Sequence, residues 1–204
     1  MGYAQIDDPV STFTTRIKIL LPNISDPDKL SDEQLAERGI GQFERVYDPV
    51  EWWQTRGDPV VSGGVITYPA QDLPLEEVKE RAKRRVNTRR DELQVEPIEH
   101  NGSTFQTRPV DRENLSGGVM DAFMWITDGG DPDSYSWDID EPDQEQGWID
   151  VNNQTVPMTA AQMIEFGRVV KTRHKQLIFT AREKKDAIES ADTVADVVTA
   201  AGLE

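Results

Sequence analysis

The stretch from Trp148 to Ile188 reads WIDVNNQTVPMTAAQMIEFGRVVKTRHKQLIFTAREKKDAI, and two periodicities follow one another in it. Trp148 to Val151 and Gln154 to Pro157 flank Asn152-Asn153, a pair suited to a tight hairpin turn. A two-residue loop there pairs Ile149 with Val156. Thr159 then has the position of a helix N-cap, Gln162 closes a capping box, and Met158 faces Met163 as a hydrophobic staple. Ala160, Met163, Ile164, Gly167, Val170, His174, Leu177, Ile178, Ala181 and Ile188 recur at helical spacing. The stretch predicts a hairpin followed by one long amphipathic helix.

The same unit occurs once more upstream. Val95 to His100 and Ser103 to Thr107 flank Asn101-Gly102, the preferred pair for a type I′ turn, which sets Ile98 opposite Phe105. The next helix is expected from about Asp111 to Ile126, with Leu115, Val119, Ala122, Phe123 and Ile126 inward. Each glycine of Gly117-Gly118 costs about 1 kcal/mol against alanine within a helix, so close packing or a kink is expected there. Asp128 to Gln146, rich in Asp, Gly and Pro, reads as a long surface loop.

Before these units, Leu73-Pro74 opens a connecting helix with Glu76 and Glu77 at its positive end. Its apolar stripe, Leu75, Val78, Ala82, Val86 and Leu93, is thin. The first third reads as strand fragments, Thr14 to Leu21, Phe43 to Tyr47, Glu51 to Gln54 and Val65 to Tyr68, between turns. One short helix among them has Ser31 and Gln34 at capping-box spacing, Leu30 and Leu35 as staple and Gly39 at its stop. The expected fold is therefore α+β. A β-rich N-terminal segment (1–72) leads through the connecting helix (73–93) to two hairpin–helix units (94–190), then a short helix or tail (191–204) that docks or stays loose.

Composition narrows the function. Of 204 residues 36% are hydrophobic, and five Trp, six Phe and four Tyr supply core material that disordered chains lack. No cysteine is present, which removes disulfides and thiolate chemistry and favours synthesis in a reducing cytoplasm. No apolar run is long enough to span a bilayer. A formal charge of −16 makes nucleic acid and anionic lipid poor partners. Charge is uneven: seven basic residues lie between Lys79 and Arg90, and nine acids without a base between Asp128 and Asp150. The two stretches are expected to pair within or between chains and so to orient assembly.

The order of motifs resembles a known family. Leu30-Ser31-Asp32-Glu33-Gln34-Leu35 with Gly39-Ile40 precedes Leu73-Pro74-Leu75-Glu76-Glu77-Val78-Lys79. Arg85-Val86-Asn87-Thr88-Arg89-Arg90-Asp91-Glu92-Leu93 and Asn101-Gly102 with Phe105-Gln106-Thr107 follow. Trp148-Ile149-Asp150, Asn153 and Val156-Pro157-Met158-Thr159-Ala160-Ala161 complete the series. This resembles a domain of unknown function that recurs in bacteriophage tail-fibre, tail-accessory and fibre-assembly proteins, over roughly residues 91–188. The resemblance implies a virion tail component that assembles with other tail or fibre proteins, with a fibre-assembly chaperone as the alternative. It implies no catalytic residues.

Chemical signatures point the same way. His174 has Val170 and Ile178 as its one-turn neighbours, which cannot ligate a metal. Asp131, Asp133, Asp138 and Asp140 do not follow the calcium-loop pattern. Acids are too abundant to single out a glycosidase pair, although a glycan-cleaving enzyme stands as a third reading. Trp52-Trp53 is read as packing rather than as a sugar platform, and Arg56-Gly57-Asp58 as a turn. No cofactor is expected. The candidate interface residues are Val170, His174, Leu177 and Ile178 on the long helix, with Arg84, Arg85, Asp138 and Asp140 as charged contacts. A helix of this length, about 43 Å at 1.5 Å per residue, outruns a small domain and is expected to meet another chain, in a homo-oligomer.

Overall fold

The computed structural model describes residues 1–137 and 146–202. The chain is α+β, and it divides into two compact units, Met1–Arg81 and Ala82–Glu204.

The first unit is built from β1 (Gly2–Gln5), α1 (Asp32–Ala36), β2 (Ile40–Tyr47), β3 (Gln54–Arg56), β4 (Val60–Ser62), β5 (Val65–Tyr68) and β6 (Ala70–Asp72). Four of these strands form one sheet in the order β1-β2-β5-β4, parallel only between β2 and β5, and β3 pairs with β6. The α1 capping box forms as its spacing predicts: the Ser31 N–H donates to Gln34 Oε1 and the Gln34 N–H to Ser31 Oγ. Leu35 is buried with Ile17 and Ile40, and Leu30 packs against them, so the staple forms too. The strand expected over Thr14 to Leu21 does not form. Thr14 makes one bridge to Tyr3, and Ile17–Ile19 is a 3-10 turn. The reason lies in which residues turn inward. Ile17, Leu20 and Leu21 join the core while Ile19 is exposed, a spacing near three rather than two.

The connecting helix α2 (Leu75–Val95) contains the boundary between the units, which falls after Arg81. The second unit continues with β7 (Ile98–His100), β8 (Ser103–Phe105), α3 (Pro109–Thr127), β9 (Gly147–Ile149), β10 (Thr155–Pro157), α4 (Ala160–Ser190) and α5 (Val194–Ala201). The first hairpin matches its reading: Ile98 faces Phe105, and Asn101 and Gly102 have φ of 49° and 81°, the two positive values a type I′ turn requires.

The second hairpin is displaced by one residue from the expected register. Ile149 pairs with Thr155, and Trp148 with Val156. Asp150 causes the shift: its carboxylate accepts from the N–H groups of Asn152 and Gln154, both at 2.8 Å, and Asn153 takes the left-handed conformation at φ 62°. The loop therefore has three residues rather than two, and a shift of one exchanges the faces of a strand. Trp148 and Val156 turn to the core and Ile149 to solvent.

α4 starts with the expected capping box of Thr159 and Gln162. Its next free N–H groups, of Ala160 and Ala161, donate to the carbonyls of Ser134 and Pro132. The acidic stretch is thus no mere surface loop: besides capping α4, it buries Trp137, whose indole N–H donates to the Met158 carbonyl at 2.8 Å. The core of this unit gathers Phe105, Leu115, Ala122, Trp137, Met158, Met163, Phe166 and Val170. Phe166, absent from the expected stripe, is fully buried against Phe105 with ring centroids 4.7 Å apart. Phe123, expected inward, is exposed. α5 docks through buried Val197 and Ala201, and Lys184 Nζ donates to the Ala201 carbonyl at its C-terminal end.

Gly102 has open space around it, so a side chain there meets only backbone strain. Gly102→Val should lower the stability of the second unit by about 1–2 kcal/mol. Denaturant unfolding followed by tryptophan fluorescence checks this, and an unchanged midpoint would contradict the turn.

Candidate functional site

The last four carbonyls of a helix lack partners within it. α2 carries no basic residue in its last turn, and its partners come from other elements. Arg173 of α4 donates to the carbonyls of Leu93 (2.8 Å) and Glu96 (2.7 Å). Arg112 of α3 donates to those of Gln94 (3.0 Å) and Thr107 (2.6 Å). The buried Thr107 hydroxyl, just after β8, donates to Glu96 at 2.7 Å. Two guanidinium groups thus meet the negative end of the helix dipole.

Two close approaches fix how α3 and α4 cross. A Cβ on Gly118 would sit 2.5 Å from Met163 Cε, and one on Gly167 would sit 2.4 Å from Val119 Cγ2. Each helix supplies one glycine to receive a side chain of the other. Gly118 thus turns the Leu115 and Ala122 side of α3 inward and leaves Phe123 outside, where helical spacing alone had placed it in the core. Gly117 faces open space.

Beyond this crossing lies an open groove of about 400 Å³. Leu115, Val119, Ile164, Gly167 and Val170 give it an apolar floor, with Arg112, Arg168, Lys171 and His174 around it; none of the described residues lining it is acidic. By helical spacing Met120 and Phe123 extend this face along α3, and Ile178 extends it along α4. These three are 56%, 57% and 43% exposed.

His174 is half-buried beside this groove and its Nδ1 has no hydrogen-bond partner. Burial, then the nearby charges of Arg112 and Arg90, hold its pKa below the ordinary histidine value. Its neutral form is therefore the one present at neutral pH. A second cleft, also about 400 Å³, lies at the start of α3 beside the second hairpin, lined by Gln106, Arg108, Asp111, Asn114 and Trp148 among others.

Of the residues singled out from sequence, Val170 and His174 line the α3–α4 groove. Leu177 does not line that groove; it lines one small cleft with Val86 and Leu93 of α2 and another with Val170 and His174, both within its own unit. Ile178 is exposed. Arg84 and Arg85 are exposed on α2. Asp138 and Asp140 lie outside the described residues. The basic stretch forms ion pairs with its own helix and with α4, including Arg81–Glu77, Arg90–Asp91 and Lys83–Glu189, and five of the nine acids expected to pair with it lie outside the described residues. Asp131 Oδ1 accepts from the Asp133 N–H, and the described residues contain no group of three or more His, Cys, Asp or Glu that could hold a metal. Trp52 and Trp53 pack edge to face, centroids 5.3 Å apart. Sequence reasoning missed the α3 half of the groove, Arg112, Leu115 and Val119, and the cations Arg168 and Lys171. Gly167 within an apolar stripe was the available signal of a crossing point.

A family profile described as a domain of unknown function (DUF4376) matches residues 77–201. No curated protein and no solved structure matches the chain.

The histidine gives a pH dependence whose sign is fixed. The unfolded chain takes up this proton near pH 6.5, the folded chain only at lower pH. Between those values the unfolded state binds more protons, so folding free energy is undiminished above about pH 7 and falls as the pH drops below about 6.5. His174→Gln should shrink the fall in melting temperature between about pH 7.5 and pH 5.5, above the range where carboxylates titrate. An equal fall in the variant would contradict the assignment.

Proposed function

The chain belongs to the DUF4376 family, and from that premise we propose that it is a structural component of a bacteriophage tail or tail fibre, acting through protein–protein assembly. The motif order from Leu30 to Ala161 supports the viral setting. The observation that carries the assembly reading is the apolar face of the second unit: the groove floor, which the exposed Met120, Phe123 and Ile178 continue by helical spacing along α3 and α4. Monomeric proteins expose scattered apolar side chains, whereas a contiguous strip bordered by polar groups marks a contact surface. In this reading Val170 and His174 lie at the inner edge of the contact and Ile178 at its outer edge.

Full burial of an aliphatic or aromatic side chain of this size is worth roughly 1.5–3 kcal/mol. Three such anchors are enough to decide an association. Phe123→Asp with Ile178→Asp should leave circular dichroism unchanged and lower the melting temperature only slightly, because about half of each side chain is already in water. The doubly substituted chain should be lost from purified phage particles, in which mass spectrometry finds the wild-type chain at fixed copy number. Incorporation of the variant at the wild-type level would overturn the reading. A wild-type chain needed for particle formation yet absent from finished particles would make it an assembly chaperone instead.

A further inference from the structure

The charge around the groove says what kind of partner it takes. The chain has 38 acidic residues against 22 Lys and Arg, yet the described lining of the groove holds Arg112, Arg168 and Lys171 and no acid. Arg112 is held by the carbonyls of Gln94 and Thr107. Arg168 and Lys171 are exposed, and neither makes an ion pair or hydrogen bond among the described residues. Glu165, one turn from Arg168 on α4, does not pair with it. Lys175 continues the row, its ammonium 5.6 Å from the centroid of the exposed Phe179 ring.

We propose that the α3–α4 groove receives an acidic amphipathic helix of a partner protein, its apolar stripe on the groove floor and its carboxylates beside Arg168, Lys171 and Lys175. This rests on the docking reading above and gives that face its partner. Three arguments favour this occupant. From Ile164 to Ile178 the strip follows α4 for about 21 Å at 1.5 Å per residue, which matches four turns of a helix with anchors at i, i+3 or i+4, i+7 and i+11. The groove lies between two helices and offers no free strand edge, so an added helix, not an added strand, completes the packing. A second copy of the chain is disfavoured, since a two-fold contact through this face would bring two grooves together whose described linings hold cations and no acid. The negative field of the whole chain does not prevent approach of an acidic helix. At physiological ionic strength it is screened over about 8 Å, and contact with the local cations dominates.

The test uses the full chain and two synthetic helical peptides with leucines at the anchor positions and, at the remaining charged positions, glutamate in one and lysine in the other. Fluorescence anisotropy should show the glutamate peptide binding at least about tenfold more tightly than the lysine peptide, with affinity falling as salt rises. Arg168→Glu with Lys171→Glu, both at exposed positions, should reverse that preference while circular dichroism is unchanged. Equal binding of both peptides, or binding of neither, would overturn the proposal. So would self-association in sedimentation velocity that the same charge reversal changes, because the occupant would then be a second copy. Particles separate this claim from the docking reading. If the charge-reversed chain is incorporated while the Phe123→Asp, Ile178→Asp chain is lost, the face docks a partner that is not acidic. If both are incorporated, the docking reading falls as well.

Discussion

The C-terminal end of α2 is capped from outside, and the second unit is organised around that capping. Leu93, Gln94 and Glu96 present carbonyls that α2 cannot satisfy, and the donors arrive from α4 (Arg173), α3 (Arg112) and the end of the first hairpin (Thr107). Hydrogen bonds from a charged group contribute roughly 1.5–3 kcal/mol, and a buried carbonyl left without one costs a similar amount. This set of interactions ties α2, α3, α4 and the end of the first hairpin together at one point. It anchors Arg112 beside the α3–α4 groove and near His174, whose protonation is disfavoured by burial and then by the charges of Arg112 and Arg90.

What the sequence disclosed depended on how local the deciding interaction is. The first hairpin was legible because Asn101-Gly102 dictates its turn within two residues, and α1 and α4 because their caps close over three. The second hairpin was misread by one place because a side chain, the Asp150 carboxylate, set the loop length that the Asn152-Asn153 pair alone suggested otherwise. Strand β1 was not foreseen, since Gly2–Gln5 pairs with Ile40–Phe43, far along the chain. No local signal encodes that pairing.

The groove was half legible for the same reason. Val170 and His174 follow from the periodicity of α4. Leu115, Val119 and Arg112 join them only because Gly118 and Gly167 let two helices approach closely, and that rotates α3 by enough to bury Ala122 and expose Phe123. A tertiary contact overrode the helical stripe. The same rotation leaves an apolar face bordered by cations on a chain otherwise dominated by acids.

A tail component that assembles through that face has it covered in the assembled state and open in the free chain. Amide hydrogen exchange compared between free chain and assembled particle tests this most directly. New protection concentrated in residues 112–127 and 160–178, with the second hairpin and α5 unchanged, is the predicted result. Unchanged exchange over both helices, with protection appearing elsewhere, would contradict it.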